Sequence, residues 1–311
     1  MPQNFFVLSG EHLELAKDEV VSISNSYDHN TEHRVEPRLV VTKSAVSFEK
    51  IAARAAFVKV AGNIYSTFDD IDKIELQVQR PDTFACRTIN LSSRKVDGTA
   101  LERKSGAILG KRWGSKVSLS NPSLVVYLIL TDTNRYVGYS DMPAEPKRPQ
   151  KVFKYPHELE SRLARCMVNL SGLKEGQNLC DPFCGTGTIL LEAESMGIRS
   201  VGIDFDKKMC DISEKNLVQN GYESRIINST FDYIQKIKDD IDAIVTDVPY
   251  GTASRSSTTP KKLIQDFLSV LPKKMRLVMV YKKGMDIDEL DKAKKYEVYR
   301  HKSLTRMIVV R

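Results

Sequence analysis

Apolar and polar positions follow two different patterns along this chain. Up to about residue 140 the apolar runs are short and mixed. Phe5–Leu8 reads as a strand, Leu13–Ile23 has partly helical spacing, and Arg38–Thr42 reads as a second strand. Over Phe48–Val60 the side chains of Phe48, Ile51, Ala52, Ala55 and Val58 share one side, which predicts an amphipathic helix across the whole stretch. Ile74–Val78 and Phe84–Leu91 follow as strand segments, and Gly98–Leu109 as a helix. Ser123–Leu130 is the cleanest strand of this half, closed by a turn at Asp132–Asn134 before Tyr136–Tyr139. Val125 to Leu130 is nearly all apolar, so that strand is expected to be covered on both faces. Residues 141–156 hold four prolines and little periodicity, which reads as a linker.

From His157 the pattern changes. His157–Leu170 is helical, with Leu159, Leu163, Cys166, Met167 and Leu170 on its apolar side. Short apolar runs then recur at Asn178–Cys180, Ser200–Ile203, Arg225–Asn228, Ala243–Thr246 and Arg276–Tyr281. Helical segments lie between them at Thr188–Met196, Lys207–Asn220 and Pro260–Leu271. Such alternation predicts an α/β fold, a mostly parallel sheet with helices on both faces. Tyr296–Arg300 and Thr305–Val310 are two strands with no helix between them, so the sheet should end in an antiparallel pair.

At 311 residues the chain is long enough for two or three domains. With 41% hydrophobic and 28% charged residues it is too apolar for a disordered tail and too charged for a membrane protein. No apolar stretch is long enough to cross a membrane, and MPQNFFVLSG at the start lacks the basic flank of a secretory signal, so a cytoplasmic site of action is expected. The net charge of +7 is concentrated in Arg87–Lys116 and Arg255–Lys283, which suits an extended polyanion. The five cysteines form no CxxC pair, so buried thiols are expected and no metal.

The chemistry concentrates at strand ends. Leu179–Ala193 (LCDPFCGTGTILLEA) lies at the first strand-to-helix junction, where Gly185 and Gly187 allow a sharp turn and close approach of a ligand. Gly202–Ile203–Asp204 places an acid at the end of the next strand, suited to the two hydroxyls of a ribose. The turn does not continue as GxGxxG, and Asp181 would repel a pyrophosphate but accept from an ammonium group. These charges favour S-adenosylmethionine over NAD. Ile244–Gly251 (IVTDVPYG) follows the fourth strand on the same crevice side. The Asp247 carboxylate and Val248 carbonyl can accept the two hydrogens of an exocyclic base amine, Pro249 holds the backbone extended, and Tyr250 offers a ring for stacking. Reaching such an amine requires a base turned out of its stack.

YPHELESRLARCMVNL, LCDPFCGTGTILLEA, VGIDFDKKMCDISEKNL, IVTDVPYG and HKSLTRMIVVR together resemble the archaeal tRNA (guanine-10-N2) methyltransferase family. The motifs cover residues 155–311 almost continuously; over 1–150 the likeness is looser. The resemblance implies a Rossmann-type class I methyltransferase domain, a mostly parallel seven-stranded sheet with an antiparallel C-terminal strand, at 157–311. Before it the resemblance implies an α+β ferredoxin-like domain at 1–65, a THUMP RNA-binding domain at 66–141 and a linker at 142–156. It also implies methylation, usually twice, of N2 of guanosine 10 in tRNA, with S-adenosylmethionine as cofactor; a monomer is expected because one chain holds both modules.

The family's cofactor motif falls on Asp181, Phe183, Gly185, Thr186 and Gly187, its ribose acid on Asp204, and its catalytic stretch on Asp247, Val248, Pro249 and Tyr250. The adenine-contacting acid falls near Asn228–Asp232, where Asp232 is a displaced candidate. Val248 stands where the family has a first proline, so the fixed φ of proline is lost while the carbonyl remains. Arg103, Lys104, Lys111, Arg112, Arg255, Lys302 and Arg306 are the expected tRNA contacts. Two rivals stay open: an amino-methyltransferase for another RNA or DNA base, and a non-catalytic RNA-binding protein keeping the fold.

Overall fold

The computed structural model describes residues 1–74, 76–141, 148–155, 158–249, 259–301 and 304–311. The chain divides into two compact units, residues 1–53 with 57–146 and residues 54–56 with 147–311.

In the first unit the chain runs β1 (Gln3–Leu8), α1 (Leu13–Tyr27), β2 (Glu32–Glu36), β3 (Leu39–Lys43), α2 (Phe48–Arg54) and β4 (Val58–Thr67). It continues through β5 (Thr83–Asn90), α3 (Gly98–Trp113), β6 (Lys116–Val117), β7 (Leu124–Leu130) and β8 (Arg135–Ser140). All eight strands form one sheet in the order β2-β3-β1-β4-β8-β7-β5-β6. The expected boundary between residues 65 and 66 therefore falls inside β4, and the sheet runs unbroken across it. β7 is covered on both faces as its apolar run predicts. Val126 and Leu128 pack with Phe84 and Leu109, while Ile129 packs with Phe5 and Tyr136.

Two expectations for this unit change, and one strand is added. The helix expected over 48–60 stops at Arg54, because from Val58 the β-branched residues alternate with Lys59 and the chain enters β4. Ile74 and residues 76–78 are not in a strand; a short 3₁₀ turn at Ile71–Lys73 precedes them. β2 went unread because EHRVE has no apolar face: it is a charged edge strand held by its pairing with β3.

The second unit runs α4 (Ser161–Leu170), β9 (Asn178–Asp181), α5 (Thr188–Glu194), β10 (Arg199–Asp204), α6 (Lys207–Val218) and β11 (Arg225–Asn228). It continues as α7 (Ile234–Ile237), β12 (Ala243–Asp247), α8 (Pro260–Val270), β13 (Arg276–Lys282), β14 (Lys294–His301) and β15 (Leu304–Val310). Its seven strands lie in the order β11-β10-β9-β12-β13-β15-β14. The first five are parallel, and β15 is antiparallel to both β13 and β14. Strand order reverses on either side of β9, and at such a switch point the loops leaving the carboxyl ends of the strands separate and leave a crevice.

The stretch expected to be a linker up to residue 156 is partly built into this unit. Asn216 on α6 accepts from the Phe153 amide (2.9 Å) and donates to its carbonyl (3.0 Å). Asn220 makes the same reciprocal pair with Gln150. Residues 150–153 thus lie as a strap along α6. All five cysteines are buried and free.

Candidate active site

The carboxyl end of β9 delivers Asp181 into the switch-point crevice. Its carboxylate is 2% exposed and accepts from the Thr246 hydroxyl (2.6 Å) and the Phe183 amide (3.1 Å). Burial pushes its pKa up to about 7; the two hydrogen bonds pull it down, and Asp247 and Asp204 push it further up. The chain then turns through Gly185 (φ 51°) and Gly187 (φ 82°), both in the left-handed region that favours glycine. A Cβ on Gly187 would lie 2.4 Å from the Ser213 hydroxyl oxygen, whereas one on Gly185 would meet nothing within 4 Å. The turn is therefore packed behind and open in front.

Asp204 at the end of β10 accepts from the Gly185 amide (2.9 Å) with one oxygen and from the Asp206 amide (2.9 Å) with the other. Burial raises its pKa. Asp247, the last residue of β12, projects into the same crevice, a space of about 210 Å³ whose walls include Glu158, Asp181, Phe183, Gly185, Thr186 and Asp247. Burial raises the Asp247 pKa to about 6, against the opposing pull of Arg306 and then Arg300. Its Oδ1 is buried with no hydrogen-bond partner among the described residues. A buried carboxylate oxygen without a partner is rare in a folded chain and calls for an explanation.

Val248 is fully buried in the core, and its N–H donates to the Val280 carbonyl (3.0 Å). A proline here would hold φ through its ring; valine instead continues the ladder to β13 by one bond that proline could not make. Pro249 follows, half-buried. Tyr250, Arg255 and Lys302 lie outside the described residues.

The structure thus brings Asp181, Phe183, Gly185, Thr186, Gly187, Asp204 and Asp247 to one strand edge. Asp232 is exposed in a 3₁₀ turn after β11, where it accepts from its neighbour Thr230 (3.0 Å). Arg306 departs from the expected phosphate contact. It is 2% exposed, with its guanidinium 3.9 Å from the Asp247 Oδ2. Arg103, Lys104, Lys111 and Arg112 are exposed on α3, where Lys104 pairs with Asp72 (2.6 Å) and Arg112 donates to the Ile74 carbonyl (2.6 Å).

The basic stretch 255–283 divides. Lys273, Lys274 and Arg276 sit at the amino end of β13, opposite the crevice, and Arg276 is spent on the Ser171 and Gly172 carbonyls. Lys261, Lys262, Lys282 and Lys283 lie at the crevice end.

Several site residues carried no sequence signal. Lys151, nearly buried, donates to Glu158, Thr186 and Thr188, and Thr186 donates to Glu158 (3.0 Å). Burial lowers the Lys151 pKa even with Glu158 beside it. This cluster ties the glycine turn to the segment before α4. Thr246 ends an apolar run, yet its hydroxyl holds Asp181.

Residues 148–307 match the family model described as RMKL-like, methyltransferase domain. A second model, described as DNA methylase, matches residues 9–215 and ends before Asp247. The chain is 33% identical to the tRNA (guanine(10)-N2)-dimethyltransferase of Methanothermobacter thermautotrophicus, over 98% of this chain and 97% of that one. It is 26% identical to the protein of the same name from Methanocaldococcus jannaschii, over 98% of both. Among solved structures, TrmN from Thermus thermophilus aligns over 100% of this chain and 99% of its own, at TM-score 0.60 and 16% identity. SMU.472 complexed with SAH aligns over 100% and 98%, at TM-score 0.53 and 14% identity. At those identities the two structures show a shared fold and no more.

Proposed function

Because the chain belongs to the RMKL-like methyltransferase family and, along almost its whole length, with the tRNA (guanine(10)-N2)-dimethyltransferases, we propose that it methylates N2 of guanosine 10 in tRNA, twice, from S-adenosylmethionine. The observation that carries the chemistry is the buried, unpartnered Oδ1 of Asp247, a residue that lines the crevice beside the glycine turn.

The residues present fit that cofactor. Asp181 offers a carboxylate to an ammonium group, Asp204 a carboxylate at the end of the neighbouring strand, and Gly185 an unobstructed backbone. When bound, the cofactor supplies an electrophilic methyl. Everything else falls to the chain. The amine of guanine is a weak nucleophile because its lone pair is delocalised into the ring. Asp247 Oδ1 accepts one of its hydrogens and the Val248 carbonyl the other, which aims the nitrogen and favours positive charge on it as transfer proceeds. Proton loss follows transfer, so a carboxylate of modest basicity suffices. Tyr250 stacks on the extruded base.

The first unit serves as a second grip on tRNA, through the exposed Arg103, Lys104, Lys111 and Arg112 of α3. Its two halves, 1–65 and 66–141, are read as ferredoxin-like and THUMP modules sharing one sheet. Arg255 and Lys302 join Lys261, Lys262, Lys282 and Lys283 in holding the backbone near the crevice. The protein is read as a cytoplasmic monomer that needs no metal.

Incubation with methyl-labelled S-adenosylmethionine and unmodified tRNA, followed by nucleoside analysis by mass and position, tests this reading. Label in N2,N2-dimethylguanosine at position 10 supports it. Label in another base, or at another guanosine, overturns the substrate assignment, and no label overturns the activity.

A further inference from the structure

Arg306 is an unusual group to bury. A guanidinium held away from water costs several kcal/mol unless countercharge and hydrogen bonds compensate. It sits on β15, opposite Lys282 of β13 and Val298 of β14. Asp247 is on β12, opposite Val280 of β13. β13 lies between them, so the arginine side chain crosses a whole strand, over a β12–β15 separation of about 10 Å, to bring Nη2 to 3.9 Å from Asp247 Oδ2. The same nitrogen donates to the Glu158 carbonyl (3.5 Å), which also accepts from Arg300 of β14 (2.9 Å).

The two oxygens of Asp247 therefore have different surroundings. Oδ2 faces a buried cation, and Oδ1 is buried with no hydrogen-bond partner among the described residues. We infer that Arg306 is a positioning residue for methyl transfer: it fixes Oδ2 and keeps Asp247 ionised, which leaves Oδ1 free for the amine of the base.

This inference rests on the function proposed above for Asp247. It differs from a phosphate-binding role, which needs an exposed guanidinium. The other charges around Asp247 come from several elements. Asp181 on β9 and Asp204 on β10 are acidic, and the Glu158 carboxylate is already paired with Lys151. Lys282 at the end of β13 is exposed, and Arg300 on β14 is exposed and farther along its strand. Burial opposes ionisation of Asp247, and Arg306 is the buried cation that counters it. The raised pKa of Asp247, which Arg306 more than Arg300 pulls back down, agrees with this geometry.

The test uses full-length protein carrying Arg306→Gln or Arg306→Lys, assayed for transfer to unmodified tRNA between about pH 5 and 8.5, a window that spans the Asp247 titration. Removing the charge raises the pKa of the carboxylate, so the acid limb of kcat should move up by about one pH unit or more in Arg306→Gln. The loss is then roughly tenfold greater at the acid end than at the alkaline end. Arg306→Lys keeps the charge and should keep the limb near wild type, and KM for tRNA should change less than about twofold in both. An unmoved limb in Arg306→Gln overturns the inference, as does a raised KM for tRNA with kcat intact, which would return Arg306 to phosphate binding.

Infrared titration of carboxyl groups, with Asp247→Asn as blank, reads the same shift without turnover. It therefore separates failure of this inference from failure of the transferase reading. If Arg306→Gln does not fold, Arg306→Lys decides by the same titration. An Asp247 carboxyl within about half a pH unit of wild type supports the inference, and a larger upward shift overturns it.

Discussion

The catalytic proposal rests on single atoms. Asp247→Asn keeps the shape of the side chain but replaces an anionic acceptor with a neutral amide. Transfer should fall by about 10²–10³-fold while cofactor affinity stays within about twofold, measured by single-turnover assay and calorimetry. Asp181 makes a second, independent prediction. Its folded pKa of about 7 lies above the ordinary carboxylate value, so near pH 6.5 a fraction of the molecules carries the proton. A ligand ammonium placed against it favours the charged form and lowers that pKa, so binding of S-adenosylhomocysteine should release part of a proton just below pH 7. Calorimetry in buffers of different ionisation enthalpy measures this, and Asp181→Asn should abolish it. At this scale the sequence was most informative where chemistry forces spacing, as in Asp181, Gly185, Gly187, Asp204 and Asp247. It was silent where a residue acts through tertiary contact. Lys151, Thr246 and the true partner of Arg306 have no local pattern, because what defines them is a neighbour dozens of residues away.

Among the elements, strands with an apolar face were legible and charged edges were not, as β7 and β2 show. Periodicity also overran a boundary between α2 and β4, because alanine, phenylalanine and valine suit either structure until β-branched residues dominate. The helices of the second unit add a feature no periodicity carries. Arg165 of α4 and Glu192 of α5 form an ion pair (3.1 Å) with both side chains almost fully buried, and Arg165 also donates to Ser195 (3.1 Å). Burial pushes Glu192 up to about 7 despite the arginine. Truncating one partner leaves the other charge stranded. Arg165→Met should therefore destabilise the protein by about 3–5 kcal/mol in urea unfolding, and Arg165→Met with Glu192→Leu should recover most of that loss. A single variant as stable as wild type would show that the pair is already neutralised by proton transfer or by water.

For the molecule as a whole, charge is the argument that sequence composition could begin but not finish. A surplus of seven positive charges favours a polyanion, yet only the fold shows which lysines face usefully. Those at the amino end of β13 are on the wrong edge of their sheet. If α3 grips tRNA through its phosphates, affinity should fall linearly in log–log form with salt, and Arg103→Ala or Lys111→Ala should each reduce that slope by about 1, as read by filter binding. Unchanged slopes would move the grip elsewhere on the first unit. The division of the chain near residue 147 was foreseeable from its prolines, but the strap along α6 was not, since reciprocal asparagine–backbone pairs leave no trace in hydropathy. The valine at position 248 has a practical meaning of its own. Its amide proton is held by β13, one peptide bond from the Asp247 carboxylate, where a proline would carry none. Deuterium uptake at that one amide gives this chain an observer beside the crevice, through which local opening of its edge can be followed without any added label.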